Sequence, residues 1–200
     1  MKVNAKRLID VIGASIGIVL LLPVFFLIAI LIVIDSKGPI FFKQQRVGLN
    51  MTDFYLIKFR TMHVVQNTNI LLTIGNRDSR ITRVGYWLRK YKLDELPQFF
   101  NVFRGQMSLV GPRPEVRKYV NLYNDQQRYV LSIKPGITDW ASVEFCNESE
   151  LLEKAEDPEA YYITNIVPVK INQNLRYIAQ HSVWTDLKII WLTLNKIILN

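Results

Sequence analysis

From Val11 to Ile34 the chain carries no charged side chain, and nearly every position is apolar: VIGASIGIVLLLPVFFLIAILIVI. Wound as one α-helix this run would be about 36 Å long, more than the ~30 Å hydrocarbon core of a bilayer. It is too long for the apolar part of a signal peptide, and no small-x-small cleavage pattern follows it. Residues 1–36 are therefore read as a membrane anchor, and 37–200 as the domain it carries. Lys2, Lys6 and Arg7 precede the run, and Lys37, Lys43 and Arg46 follow it, so both flanks read as cytoplasmic. Pro23, near the middle, removes one helical hydrogen bond and clashes with the preceding turn. A re-entrant helix that breaks at Pro23 and returns to the face it entered satisfies both observations; a kinked spanning helix is the alternative.

Beyond Asp35 the period shortens. PIFFKQQRVG and DFYLIKFRTM, separated by LNMT, read as a β-hairpin. Alternation in the second run puts Tyr55, Ile57 and Phe59 on one face and Lys58 with Arg60 on the other. Residues 64–80 are polar and read as a loop. ITRVGYWLRKYKL is helical in pattern, with Trp87, Leu88 and Tyr91 apolar and Arg83, Arg89, Lys90 and Lys92 basic, a composition suited to a membrane surface or an anionic ligand. Leu96, Phe99, Phe100 and Phe103 then follow helical spacing, with Asp94 as N-cap and Gly105 as terminator. Gly111, Pro112 and Pro114 stiffen the chain around Arg113, a further helix is expected from about Pro114, and KPGITDW reads as a turn. An acidic helix-like stretch covers 148–160. The last segment, SVWTDLKIIWLTLNKIIL, puts Val183, Leu187, Ile190, Trp191, Leu194 and Ile198 on one side, a face expected to pack in the core, with interfacial lipid contact as the second option. The predicted class is α+β, mostly helical: a re-entrant membrane helix followed by a small domain with a β-hairpin and amphipathic interfacial helices.

Charge narrows the partners. Twenty-five Lys and Arg against 17 Asp and Glu give a net +8, which favours anionic ligands: nucleic acid, phosphorylated metabolites or an acidic lipid leaflet. The single cysteine, Cys146, can form neither an internal disulfide nor a thiolate metal site by itself. His63 and His181 are far apart in sequence and read as ordinary polar residues, and no Walker loop or Ser/His/Asp arrangement is present.

Against that basic background, KLDELPQFFN places two carboxylates side by side. An N-cap aspartate needs no function, being worth about 1 kcal/mol to the helix, and Glu95 in a first turn is favoured by the helix dipole. A second reading gives them chemistry. A cap residue lies outside the helical conformation, so Asp94 and Glu95 can converge on one ion, and Mg²⁺ is commonly held by one or two carboxylates plus substrate phosphates. Lys58, Arg60, Arg89 and Arg113 could gather around a diphosphate. A carboxylate in that setting can also attack phosphorus.

FFKQQRVGLN with FYLIKFRTM, LRKYKLDELPQFFNVFRGQMSLVGPRPE and IKPGIT together resemble the bacterial sugar transferase family, the small monotopic phosphoglycosyl transferases that begin glycan assembly on polyprenyl phosphate. The resemblance covers nearly the whole chain. It implies transfer of a sugar 1-phosphate from a UDP-sugar to polyprenyl (undecaprenyl) phosphate, with release of UMP and a requirement for Mg²⁺. By motif position Asp94 would be the nucleophile of a covalent aspartyl-phosphosugar intermediate, Glu95 would coordinate the metal alongside it, and Lys58, Arg89 and Arg113 would handle phosphate groups. It also implies a re-entrant membrane segment in the bacterial inner membrane, a catalytic domain on the cytoplasmic face in contact with membrane lipids, and no nucleic-acid partner. The sequence permits a homodimer and requires none. Two departures stand out. Leu22 precedes Pro23 where members often have Ser, and DWASVEFCNES follows KPGIT where many have Gly and a Gln-containing stretch ending in Gly-Arg; nucleotide contacts and sugar choice are therefore not carried over. The competing functions are a non-enzymatic, membrane-anchored basic module with Asp94 a mere cap, and an Asp-dependent phosphohydrolase needing no lipid acceptor.

Overall fold

The uncharged run folds as part of one helix, α1 (Val3–Asp35), with Pro23 inside it. The computed structural model describes residues 3–64, 78–144 and 148–199; most of the loop expected at 64–80, together with Lys2 and Cys146, lies outside the described residues. α1 is long and apolar enough to cross a membrane. One stripe (Ala14, Phe25, Ile28, Ile32) is buried against the rest of the chain, while Leu20, Phe26 and Ile34 on other faces are more than two-thirds exposed.

Both ends of α1 are fastened to the same body. At its start Lys6 pairs with Asp186 at 2.6 Å, Arg7 donates to the carbonyls of Val102 (2.7 Å) and Phe103 (2.9 Å), and Asp10 accepts from Ser108 Oγ and the Leu109 amide, both at 3.0 Å. At its end Asp35 accepts from the Val84 amide at 3.0 Å. Arg60 donates to the carbonyls of Ile32 (3.4 Å), Ser36 (2.6 Å) and Lys37. The last carbonyls of a helix have no partner within it, and a buried guanidinium is a strong donor for them. Arg60, expected to project with Lys58 toward a phosphate, is thus used up as a C-terminal cap. The two sides of Pro23 belong to one helical element, so the expected break is not a gap in the helix.

The hairpin forms as predicted. β1 (Phe41–Val47) pairs antiparallel with β2 (Asp53–Phe59), Phe41 opposite Phe59 and Val47 opposite Asp53. The predicted faces of β2 do not hold. Tyr55 is exposed, whereas Phe54 and Leu56 are buried beside Ala14, Val102 and Met107, and Phe59 is buried beside Phe25, Ile32 and Leu88. Helices cover both faces of the strand, so alternation no longer separates inside from outside.

α2 (Arg83–Lys90) starts at Thr82, whose Oγ1 accepts from the Gly85 amide at 2.9 Å. A 3-10 turn, Leu93–Glu95, separates it from α3 (Gln98–Phe103), and Gly105 (φ +84°) ends α3 in the left-handed conformation that glycine adopts freely. β3 (Ser108–Val110) is followed by α4 (Arg117–Val120) and α5 (Asp125–Arg128). The helix expected from Pro114 begins at Arg117 because Glu115 first bridges to Val47, whose amide donates to the Glu115 carbonyl at 2.9 Å. The KPGITDW turn contains a strand: β4 (Gly136–Thr138) pairs parallel with β3. A Cβ on Gly136 would overlap the backbone of Gly111, so the two glycines permit this crossing.

The acidic stretch is helical in two pieces, α7 and α8, within the succession α6 (Trp140–Glu144), α7 (Glu148–Glu153) and α8 (Pro158–Tyr161); a π-helical turn then leads into α9 (Val167–Gln180), and α10 (Val183–Leu199) closes the chain. The main core gathers Val110, Tyr119, Val120, Ile166, Ile171 and Ile189, among others. The face assigned to α10 is reversed in part: Ile189 is the fully buried residue, whereas Leu187, Trp191 and Leu194, predicted to pack inside, are each at least half exposed, as is Trp184. Ile198 lies outside the residues whose side chains are described. Asp186 and Thr193 turn inward instead, because they bond Lys6 and Thr138. The architecture is mostly helical, with two small two-stranded sheets and one long apolar N-terminal helix.

Replacing Arg60 by Met is expected to lower the stability of the full chain in detergent by about 3 kcal/mol, since it strips several carbonyls of a charged donor, and to leave phosphate affinity per folded molecule unchanged. Chemical denaturation alongside a pyrophosphate titration checks both parts.

Candidate active site

Lys92, in the left-handed region at φ 54°, reverses the chain just after α2. The turn then closes by three-residue bonds, the Glu95 amide to Lys92 O and the Leu96 amide to Leu93 O, both at 3.3 Å. Asp94 is therefore inside a 3-10 turn and not the N-cap of α3, which begins four residues later after Pro97. The turn is short and backed by Leu93 and Leu96 in an apolar cluster with Phe59 and Leu88, so it presents its two carboxylates at a fixed place.

Three distant segments meet on Glu95. Lys58 of β2 donates to Oε1 at 2.8 Å, and Arg113 donates to Oε2 at 3.1 Å and also to Oε1, a two-pronged contact. The segment bearing Arg113 is tied down in turn: its amide donates to Asp139 Oδ2 at 3.3 Å, and Glu115 next along pairs with Arg46 at 2.9 Å and accepts from Tyr162. Asp94 is 7% exposed, and among the described residues no donor bonds its carboxylate. It lies in the fields of Lys58, Arg89 and Lys92.

The two neighbours are driven apart electrostatically. Burial is the largest influence on both and favours the neutral acid. For Glu95 it is outweighed by the charges and hydrogen bonds of Arg113 and Lys58, which hold its carboxyl well below the usual range. For Asp94 burial prevails, assisted by repulsion from Glu95 and opposed by Lys58 and Arg89, so its carboxyl is raised. Burial also lowers Lys58, against the pull of Glu95.

Asp94, Glu95, Lys58, Arg89 and Arg113 all line one cleft of about 1340 Å³, which extends past Asp139 to α9 and α10. Four of the five predicted groups are bonded to the acidic pair or belong to it: Lys58 and Arg113 through hydrogen bonds, Asp94 and Glu95 as the pair itself. Arg89 joins them through its charge. Among the described residues no cluster of three His, Cys, Asp or Glu side chains could hold a metal alone. The fit to Mg²⁺ therefore rests on the donor set: one buried carboxylate with no hydrogen-bond donor among the described residues, one beside it already ionised, and room for substrate phosphates to complete the shell.

Asn101 was not singled out from sequence. Fully buried in α3, it accepts from the Ile57 amide at 3.0 Å and donates to Tyr55 O at 2.7 Å and Gln106 Oε1 at 2.8 Å. It thereby pairs with β2 along the edge away from β1 and fixes Lys58 relative to the acidic turn. The available signal was a polar residue, Asn101, set within the Phe-rich helix.

The two carboxylates should respond oppositely to substitution. Glu95 is depressed in the fold, so it stabilises the protein above the ordinary carboxylate pKa of about 4.3, an effect lost as pH falls through the lower folded value. Glu95→Gln is expected to cost about 2 kcal/mol at pH 7.5, leaving two cations without their anion, and progressively less in acid. Asp94 is raised, so its ionised form weakens the fold above the folded pKa. Asp94→Asn is expected to raise the thermal midpoint at pH 7.5 and to lose that advantage as pH drops below about 4. Thermal melts of both variants across pH measure this.

With that geometry in place, comparison with known proteins is informative. Residues 1–200 match the family described as bacterial sugar transferase. The chain is 40% identical over 199 residues to the Klebsiella pneumoniae protein named UDP-glucose:undecaprenyl-phosphate glucose-1-phosphate transferase, covering 98% of this chain and 40% of that one. It is 36% identical over 196 residues to the Aeromonas hydrophila UDP-N-acetylgalactosamine-undecaprenyl-phosphate N-acetylgalactosaminephosphotransferase, covering 96% of this chain and 43% of the other. Against a Caulobacter vibrioides protein with the same name as the Klebsiella one, identity is 35% over 199 residues, 96% of this chain and 69% of that protein. The chain thus spans about two-fifths of the length of the first two of these relatives. On this match across its described length and beyond, the chain belongs to the bacterial sugar transferase family.

Proposed function

We propose that the protein transfers a sugar 1-phosphate from a UDP-sugar to a polyprenyl (undecaprenyl) phosphate, releasing UMP, at the cytoplasmic face of a bacterial membrane. One observation carries the reading: a buried carboxylate with no hydrogen-bond donor among the described residues, Asp94, adjoins a second carboxylate held between Lys58 and Arg113 on the wall of a large cleft. Relatives of this chain are named for that class of reaction with glucose and N-acetylgalactosamine donors.

In the first half-reaction an Asp94 carboxylate oxygen bonds to the sugar-bearing phosphorus. The bond from that phosphorus to the bridging oxygen breaks, and UMP departs with the electron pair. In the second, a phosphate oxygen of the lipid bonds to the same phosphorus and Asp94 leaves as a carboxylate. One phosphoanhydride is made for each one broken, so no ATP is required. Lys58, Arg89 and Arg113 neutralise the diphosphate and orient it, the planar guanidinium of Arg113 matching two oxygens at once. Asp94 and Glu95 would hold Mg²⁺, which would supply further charge neutralisation at the diphosphate. Asp94 attacks in its ionised form, which the fields of Lys58, Arg89 and Lys92 favour against the effect of burial.

The attachment of both ends of α1 to one body supports a monotopic arrangement, in which the exposed apolar face of the helix lies in a leaflet and both flanks stay on the cytoplasmic side. Exposed Trp87 and Tyr91, with Lys90 over both rings, and Trp184 and Trp191 suit the headgroup level.

Purified protein with Mg²⁺ and a panel of UDP-sugars is expected to release UMP only when undecaprenyl phosphate is added. Asp94→Asn should lower that release by roughly a thousandfold or more, as removal of a nucleophile does, and abolish a phosphosugar adduct on the protein detectable by mass spectrometry. Turnover without lipid would indicate a hydrolase, and lipid-dependent turnover surviving Asp94→Asn would remove the aspartyl step.

Orientation is tested in a Cys146→Ser background. Cysteines at Ala5 and at Lys43 should both react with an impermeant reagent from the cytoplasmic side only; reaction from opposite sides would mean a spanning helix.

A further inference from the structure

The far wall of the cleft carries an unexplained polar group. α9 presents Val167, Lys170, Ile171 and Asn174 to the cavity, a helical stripe at successive turns. Asn174 is 95% buried, and among the described residues its Oδ1 has no hydrogen-bond partner. Leaving such an acceptor unmatched is costly, and native proteins rarely do so without a reason. Ser142 of α6, which also lines the cavity, has its Oγ shut off from solvent and unmatched among the described residues, while its amide is held by Asp139 at 2.7 Å. Asp139 in turn accepts from the Arg113 amide, which links this wall to the phosphate-handling loop.

The surroundings restrict what can fill the space. Val167, Ile171, Leu152 and Ile190 make the wall apolar. Its cations are already engaged: Lys170 pairs with Glu148, and Lys196 donates to Val143 O at 2.6 Å. A second phosphate is therefore poorly served here. A sugar needs a partner for each of several hydroxyls, and polar groups here are engaged with one another: Thr138 with Thr193, Asp139 with the Ser142 and Arg113 amides, Glu148 with Lys170. A flat heterocycle between aliphatic side chains, bearing a donor and an acceptor on one edge, fits both features. Turned about its last side-chain bond toward the cavity, the primary amide of Asn174 can accept from a ring N–H and donate to the adjacent ring carbonyl in two parallel bonds.

We propose that Asn174 recognises the imide edge of the uracil ring of the nucleotide-sugar donor, with the ring seated against Val167 and Ile171. The assignment rests on the UDP-sugar reading above and adds a specificity-determining residue to it. A near-isosteric apolar replacement removes the recognition and also removes the unmatched polar atom, so affinity and stability should move in opposite directions.

The full chain in lipid nanodiscs is titrated with UMP and with ribose 5-phosphate, which lacks the base. Wild type should bind UMP more tightly, and Asn174→Leu should reduce UMP affinity by roughly tenfold or more while leaving ribose 5-phosphate affinity and the thermal midpoint unchanged or the midpoint higher. Asn174→Ala, the variant to use should Leu not be accommodated, should erase the same advantage of UMP. UMP affinity unmoved by either substitution, or equal losses for both ligands, overturns the assignment. So does a variant that keeps UMP affinity but changes its ranking among UDP-sugars, because the amide would then read the sugar. A wild-type chain that binds neither UMP nor any UDP-sugar overturns the underlying reaction instead.

Discussion

The carboxylate of Glu95 is the point on which the site depends. Residues 58, 95 and 113 come from a strand, a 3-10 turn and a proline-bounded loop, and each is positioned by separate packing: Lys58 by the Asn101 contacts to β2, Glu95 by the reversal at Lys92, Arg113 by Asp139 and the neighbouring Glu115–Arg46 pair. Two cations in such proximity repel each other, and burial disfavours Lys58 in its charged form. The anion between them makes their convergence stable. Without it, the energetically preferred arrangement would be to separate the cations and admit water.

Some of this was legible in the sequence. A 24-residue uncharged run fixes a helix by length alone, and two aromatic-rich segments around LNMT fix a hairpin. The acidic pair and its cationic neighbours were legible as residue types. What sequence periodicity could not supply was the partner of each surface. Arg60 alternates in phase with Lys58, yet it points at the open carbonyls of α1, which are brought near only by the tertiary fold. The apolar stripe on α10 is real, but period alone does not say whether protein or something else covers it, and here Ile189 faces the core while Trp191 and Leu194 face away. Asp94 looked like a cap because Asp followed by an apolar periodic run usually is one; the left-handed Lys92 and the proline at position 97 shifted the helix start.

Asn101 and Asn174 illustrate the same limit from the opposite direction. Both are asparagines in helices with apolar neighbours, and local propensity treats them alike. Their environments separate them. Asn101 has its amide matched by backbone and by Gln106, so it serves the fold. Asn174 lines a cavity and carries an acceptor left unmatched among the described residues.

The contrast between Asp94 and Glu95 bears on why the pair is adjacent. Two carboxylates in one turn would ordinarily compete for the same cations, and each would raise the pKa of the other. Here the competition has a definite outcome: Arg113 and Lys58 bond Glu95, which stays ionised, and Asp94 is left with no hydrogen-bond donor among the described residues and with a raised pKa. A carboxylate already saturated by donors would be a poor nucleophile, since those bonds stabilise its lone pairs and must be surrendered as it attacks. By drawing the donors to itself, Glu95 leaves its neighbour's oxygens unencumbered. In the reaction proposed, Lys58, Arg89 and Lys92 act on Asp94 through their fields alone, favouring its ionised form without tying up the oxygen that attacks phosphorus.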